Sequence, residues 1–300
     1  MKDYKLNFNK YFKAFNIFSI ALIIISVVLL MFKGLNFGVD FKGGTLIELR
    51  ATDKQITISQ LRQSFLNMNL GDVTVKEFGK NNDFLIKFEK KENNNSDLIG
   101  QVKEDLTKFV GPGFNFRRVE SVGPKVSTEL LKSGVIAIGL SLAAMLIYIW
   151  IRFEWQFSIG AILALLHDVL LTLGVFSLFS FEINLSIVAA VLTIVGYSMN
   201  DTVVIFDRIR ENLKKFSDIN IFDLTNISIN ETLSRTIITS ATTLLALVSI
   251  YIFGGQILKG FSLAMILGVI FGTYSSIYIA SPILILLNVS QKTILKEDKD

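Results

Sequence analysis

Ile183–Glu211 reads INLSIVAAVLTIVGYSMNDTVVIFDRIRE, and the placement of its charges decides how the chain folds. Residues 183–199 hold no charged side chain. Asn200-Asp201 follows, and five more uncharged residues precede the hydrophilic run Asp207-Arg208-Ile209-Arg210-Glu211. The pattern is a membrane-spanning helix with a carboxylate inside it. At roughly 1.5 Å of rise per residue, Asp201 lies about 9 Å below Asp207, less than two turns from the interface. A carboxylate at that depth costs about 2.5–3.5 kcal/mol on insertion scales, and the default reading of such a group is a proton or ion relay with a partner. The bland alternative is an acid that snorkels from a helix end, but Asp is too short to reach across two turns.

The rest of the chain agrees with a membrane protein. Of its 300 residues 51% are apolar and 19% charged. The mean hydropathy of +0.52 is high for a soluble protein of this size. The charges cluster, leaving long uncharged tracts around one soluble insertion. The net charge of +4 is read as membrane orientation, with no role for nucleic acid. With no cysteine there is no disulfide, Fe–S cluster or thiol nucleophile, and a single histidine excludes a multi-histidine metal site. No metal or other cofactor is expected. The first apolar stretch is long and lacks a small-residue cleavage site, so no cleavable signal peptide is expected.

Six spans are predicted: 14–32, 133–151, 156–181, 183–206, 236–253 and 261–289, with polar tails at 1–13 and 290–300 and a polar loop at 207–235. The N-terminus is placed in the cytoplasm. The short inner segments then hold Lys2, Lys5, Lys10, Lys13, Arg152, Arg208, Arg210, Lys214, Lys215, Arg235, Lys292, Lys296 and Lys299, while the outer ones hold only Lys259. This is the positive-inside bias, with both termini inside. Residues 33–132 form the one long soluble region and face the periplasm. Their order is β-α-β-β-α-β, a ferredoxin-like α+β pattern. Thr45–Ala51 is strand-rich after the Gly43-Gly44 turn, and Thr57 with Gln60 makes a capping box before a helical stripe. Residues 72–78 and 84–88 alternate as strands around Asn81-Asn82. Ser96 caps a second helix that ends at Gly111-Pro112-Gly113, and residues 114–122 form the last strand. Ser127–Lys132 is read as a short helix leading into span two, and Arg152–Trp155 as a tight charged loop.

Other polar residues sit at membrane depth beside Asp201. Arg235 opens span five, in the same leaflet, and is read with equal weight as a partner for Asp201 or as a positive-inside anchor. Thr239, Ser240, Thr242 and Thr243 follow it, more often packing glue than pathway. His167-Asp168 falls eleven residues into span three. Being consecutive, the two side chains diverge by about 100° and are not expected to pair with each other. They are read either as helix-packing hydrogen-bonders or as participants in proton movement. In span four Thr193, Tyr197 and Asp201 recur at i+4, and Thr193, Gly196 and Asn200 share the same polar face.

No enzyme site is legible. There is no GxxxxGK[ST] loop, and Phe41-Lys42-Gly43-Gly44-Thr45 lacks the spacing and following helix of a phosphate cradle. The only base for a serine triad, His167, lies inside a span. Residues 208–215 are basic and suit anionic lipid or a partner at the inner surface.

These motifs resemble the SecD/SecF family of bacterial protein-export membrane proteins, on its SecF side and within the wider RND superfamily. The resemblance rests on Asn36–Thr45 with Gly38, Asp40, Gly43, Gly44 and Thr45, on His167-Asp168-Val169, on Gly196–Glu211, and on Leu233-Ser234-Arg235-Thr236. It implies half of a twelve-span unit whose other half is SecD. That unit would act beside the SecYEG channel and SecA, drawing on the proton gradient to complete preprotein export. It also implies that Asp201 and Arg235, with Asn200, belong to the proton pathway near an acid from SecD. Two other readings are carried: an RND-type exporter of small molecules or lipids, and a structural assembly subunit in which Asp201 and Arg235 form a static ion pair.

Overall fold

The computed structural model describes residues 6–51, 56–68, 70–77, 82–88, 98–111, 113–216 and 219–295. Lys2, Lys5, Asn81, Ser96, Pro112, Lys296 and Lys299, named among the expectations, lie outside the described residues. The chain divides into two compact units, Phe37–Gly134 and Met1–Asn36 with Val135–Asp300.

The smaller unit is built on a four-stranded antiparallel sheet. Strand β1 (Gly44–Ala51) leads to a helix (Ile58–Asn67), then β2 (Val73–Glu77), β3 (Asp83–Phe88), a second helix (Leu98–Val110) and β4 (Phe114–Val122). The sheet order is β2-β3-β1-β4. The β1–helix–β2 crossover leaves a slot beside β1 that β3 fills, which is the ferredoxin-like arrangement. Local chemistry drives each piece. Thr57 and Gln60 make both bonds of a capping box at the start of the first helix. Asn82, with φ of 74°, turns the chain into β3. Pairing aligns Ile47 with Ile86 and Leu49 with Phe84, so one face of the sheet is apolar. Those four residues bury completely with Leu61, Phe65 and Leu106 of the two helices. Phe84→Ala should cost this unit about 3–5 kcal/mol, the range for truncating a buried aromatic. Hydrogen exchange of β1 and β3 amides in the full-length chain measures it, and the membrane helices should be unaffected.

Between Gly38 and Thr45 the chain makes a short helix (Val39–Lys42) and turns at Gly43 and Gly44, whose φ of 78° and 115° suit glycine alone. A Cβ on Gly43 would also stand 3.3 Å from Ser127 Oγ and 3.4 Å from the Val122 carbonyl oxygen. Thr45, buried at the head of β1, places its hydroxyl 3.1 Å from that of Ser121.

Among the described residues, six helices are long and apolar enough to cross a membrane. We label them α1 (Phe12–Phe32), α2 (Pro124–Arg152, entered from the smaller unit), α3 (Trp155–Leu178), α4 (Leu185–Lys215), α5 (Ile221–Phe253) and α6 (Gly255–Ser275). The last continues through a π-helical stretch, Ser276–Ala280, into Ser281–Leu286. Three of the six, α3, α4 and α6 with its extension, form the buried centre, while α1, α2 and α5 expose most of their apolar surface. Glycines set the closest approaches: Gly174 against Ser26, Gly160 against the Ala280 carbonyl, Gly268 against Ile194 and Gly272 against Ser198. In lipid, where apolar burial gives helices no reason to associate, such backbone contact supplies the packing energy.

Two stretches are more helical than hydropathy suggests. The short helix expected at Ser127–Lys132 is continuous with span two, because Pro124 sits at the helix start where its missing N–H is not needed. Helical structure also fills most of the segment 207–235, since α4 runs on to Lys215 and α5 begins at Ile221. Pairs one turn apart, Arg208 with Glu211 and Glu211 with Lys215, support those polar turns, and Arg208 also pairs with Glu231 across to α5.

Candidate functional site

Asp201 lies on α4 and is only 3% exposed. Its Oδ2 accepts hydrogen bonds from Ser240 Oγ of α5 at 3.5 Å and Thr273 Oγ1 of α6 at 3.4 Å. Those two hydroxyls stand 2.7 Å apart. The carboxylate is therefore held at a junction of three helices by weak, replaceable donors. Arg235 is near enough to act on Asp201 through its field, yet it forms no ion pair among the described residues and is exposed on α5. Asn200 is likewise exposed on α4. The Tyr197 hydroxyl donates toward the Thr239 carbonyl at 3.3 Å and Thr243 Oγ1 at 3.2 Å, tying α4 to α5 one turn from Asp201. Thr239 returns its own hydroxyl to the carbonyls of Arg235 and Thr236. Thr193 is exposed and bonds the Ala189 carbonyl of its own helix, so it stands apart from this junction.

A second polar centre surrounds Asp168, which is completely buried on α3. Ser198 Oγ of α4 and Ser275 Oγ of α6 both donate to Asp168 Oδ2, at 2.6 and 2.8 Å. On the other oxygen, Oδ1 lies 2.8 Å from His167 Nδ1. The expectation that these consecutive side chains do not pair is thus corrected. Neither can reach water, and a buried polar group left unpaired is costly, so the two side chains meet although their Cα–Cβ bonds diverge. The His167 ring stacks on Tyr274 with centroids 5.8 Å apart, and its buried Nε2 has no hydrogen-bond partner among the described residues. The Tyr274 hydroxyl lies 2.7 Å from Ser19 Oγ and donates to the Phe15 carbonyl, both on α1.

One run on α6 serves both centres: Thr273 faces Asp201, Tyr274 faces His167 and Ser275 faces Asp168. Sequence reading passed over this Thr-Tyr-Ser-Ser run and over Ser19. A cluster of four hydroxyl residues inside an otherwise apolar span was the available signal. The backbone enters the π-helical stretch at Ser276, the last residue of this run; just beyond the stretch Pro282 cannot donate to a carbonyl one turn back, and the Ser281 hydroxyl bonds the Ser276 carbonyl at 2.8 Å. Among the described residues there is no group of three or more His, Cys, Asp or Glu side chains able to hold a metal. This arrangement of carboxylates and hydroxyls can hold and exchange protons between helices.

The sequence matches the family described as "Protein export membrane protein SecD/SecF, C-terminal" over residues 101–290 and the "SecD/SecF GG Motif" over residues 28–54. The chain belongs to the SecD/SecF family. The first match contains Asp168, Asp201 and Arg235, and the second contains the Gly43-Gly44 turn. Relatives named "Protein translocase subunit SecF" agree. That of Cereibacter sphaeroides is 45% identical, covering 94% of this chain and 89% of the relative. The Rickettsia bellii protein is 46% identical over 89% and 88%, and the Vibrio alginolyticus protein 40% over 97% and 92%. Among solved structures, SecDF of Thermus thermophilus, described as a translocon-associated membrane protein, superposes with a TM-score of 0.84 at 34% identity. That match covers 94% of this chain and 38% of the longer SecDF chain. A SecDF structure in a "Super-membrane-facing form" gives 0.66 at 31% identity, covering 98% of this chain and 40% of that one. The chain is accordingly a multi-pass membrane protein of the translocase-subunit kind, six helices with one α+β domain.

Proposed function

We propose that this chain is the SecF-side half of a proton-driven export motor in the bacterial inner membrane. It pairs with a SecD-type chain beside the SecYEG channel and SecA and carries unfolded preprotein outward in late export. Both termini lie in the cytoplasm and the unit Phe37–Gly134 on the far side, the orientation that basic residues in the short loops favour. The chain performs no chemistry of its own. One observation carries the reading: Asp201 is buried at membrane depth under two hydroxyls, while its neighbours Asn200 and Arg235 stand exposed on α4 and α5. Exposed amide and guanidinium groups at the level of apolar spans are unfavourable against lipid and suit a polar partner helix. A six-span chain that matches 38% of a SecDF chain leaves room for such a partner, and transporters of this type bind their ions between two related halves.

The absence of cysteine makes the test direct. Single cysteines at Asn200 and Thr242 should crosslink to SecD in intact membranes, and the complex should co-purify with the channel. Cysteines at Ile17 and Ile24, on the apolar outer face of α1, should not. Crosslinks from α1 with none from α4 or α5 would put the partner elsewhere and leave Asn200 and Arg235 uncovered, against the proposal. Co-purification with an efflux assembly in place of the channel would favour the small-molecule exporter.

A further inference from the structure

On the reading that Asp201 carries the proton, Asp168 still has no task. Asp168 grips α4, which bears Asp201, and α6, which donates to it. Ser198, its donor on α4, precedes Asp201 by three residues, and Ser275, its donor on α6, follows Thr273 by two. Bonds of a hydroxyl to a carboxylate are among the stronger hydrogen bonds. At a fully buried site no water can replace them. Apolar side chains at the same level can slide past one another, but this carboxylate cannot release either serine without leaving a buried group unpaired.

The helix that bears Asp168 is in turn fixed to α1. Gly174 lets Ser26 approach until an added Cβ would overlap it, and the Ser177 hydroxyl donates to the carbonyls of Leu29 and Gly34 at 3.2 and 2.7 Å. On the opposite side, α6 changes from α- to π-helix directly after Ser275, which gives it a place to yield. We infer that Asp168 is a positioning residue that transmits the proton-driven shift of α4 and α6 at Asp201 to the α3–α1 pair. A rival route exists through Tyr274, whose hydroxyl links α6 to Ser19 and Phe15 of α1 directly.

The inference is tested in the full chain with its SecD partner in lipid nanodiscs, using Asp201→Asn as a mimic of the protonated acid. Spin labels on introduced cysteines at exposed sites report two distances: Phe18–Leu245 for α1 against α5, and Ile270–Leu245 for α6 against α5. With Asp168 in place, Asp201→Asn should shift both distances. With Asp168→Ala it should shift the α6–α5 distance alone. Asp168→Asn, which can still bond both serines, should behave like the parent chain. Ser198→Ala with Ser275→Ala cuts both links and should behave like Asp168→Ala, so the pair serves if that variant does not assemble. Gradient-dependent export should fall about fivefold or more in Asp168→Ala, the lower end of typical coupling between sites, and stay within about twofold in Asp168→Asn.

An α1–α5 shift that persists in Asp168→Ala overturns the inference. So does its loss in Tyr274→Phe with Asp168 intact, or the absence of any shift on Asp201→Asn. If Asp168→Asn fails as Asp168→Ala does, the group is needed for its charge and the positioning role is lost. Normal gradient-driven export by Asp201→Asn would instead sink the proton reading itself, a result separable from all of these.

Discussion

Asp201→Asn should leave insertion, outer-domain folding and assembly intact while abolishing the gradient-dependent part of export. Asn matches Asp in size, and its carbonyl oxygen can still accept from Ser240 and Thr273, so the three-helix junction keeps its contacts. What it loses is the ability to take up and release a proton. One charge crossing 100 mV is worth about 2.3 kcal/mol. By the rule of about 1.4 kcal/mol per tenfold, that biases two poses by roughly fiftyfold. Export by membrane vesicles with and without an uncoupler measures the effect: the variant should run at the uncoupled rate in both. A variant that still responds to the gradient would remove Asp201 from the pathway. Arg235 supplies the control. Arg235 makes no ion pair with Asp201 among the described residues, so exchanging the two charges, Asp201→Arg with Arg235→Asp, should not restore gradient-driven export. Recovery on exchange would favour a static ion pair and a structural subunit.

Asp201 was legible in the sequence because a charge stands out against an uncharged helix, and the cost of placing it there is a property of one residue. The smaller unit was legible for a similar reason. The Thr57–Gln60 cap, the Asn82 turn and the alternation in 84–88 are local signals that the folded chain uses where they occur. The helical turns at 207–215 and 221–235 were obscured by judging helix by hydropathy, when their stability comes from ion pairs and capping. Asn220, for example, accepts from the Phe222 backbone at the start of α5. The partners of each acid were hidden for a different reason. Ser240, Thr273 and Ser275 lie 39, 72 and 107 residues from the carboxylates they bond, and pairings at that range follow from which helix faces meet. Gly272 marks one such meeting, since only a residue without a side chain lets α6 reach Ser198.

That contact yields the second large effect. Gly272→Ala and Gly268→Ala both place a methyl group between α4 and α6, and they should differ in whether they can be rescued. At Gly268 the added Cβ would lie 2.2 Å from Ile194 Cγ1, with all three nearest atoms in that one side chain. Ile194→Ala removes them, so the pair Gly268→Ala with Ile194→Ala should assemble where Gly268→Ala alone does not. At Gly272 the Cβ would lie 2.9 Å from Ser198 Cβ and 3.1 Å from Ser198 Cα. No substitution at Ser198 moves its own backbone, so Gly272→Ala should force the helices apart whatever stands opposite. Thr273 would then be drawn from Asp201 and Ser275 from Asp168, both within three residues of the glycine. Overpacking of this kind costs about 1–3 kcal/mol and occasionally more, and here it falls on the hydrogen bonds of both buried acids. Thermal stability of the purified complex, read beside export, separates the two sites. Gly272→Ala should lose gradient-dependent export even where the complex survives, and Ser198→Ala should not restore it. Restoration by Ser198→Ala would mean that α4 and α6 yield freely at this level, and then neither acid is held by their contact.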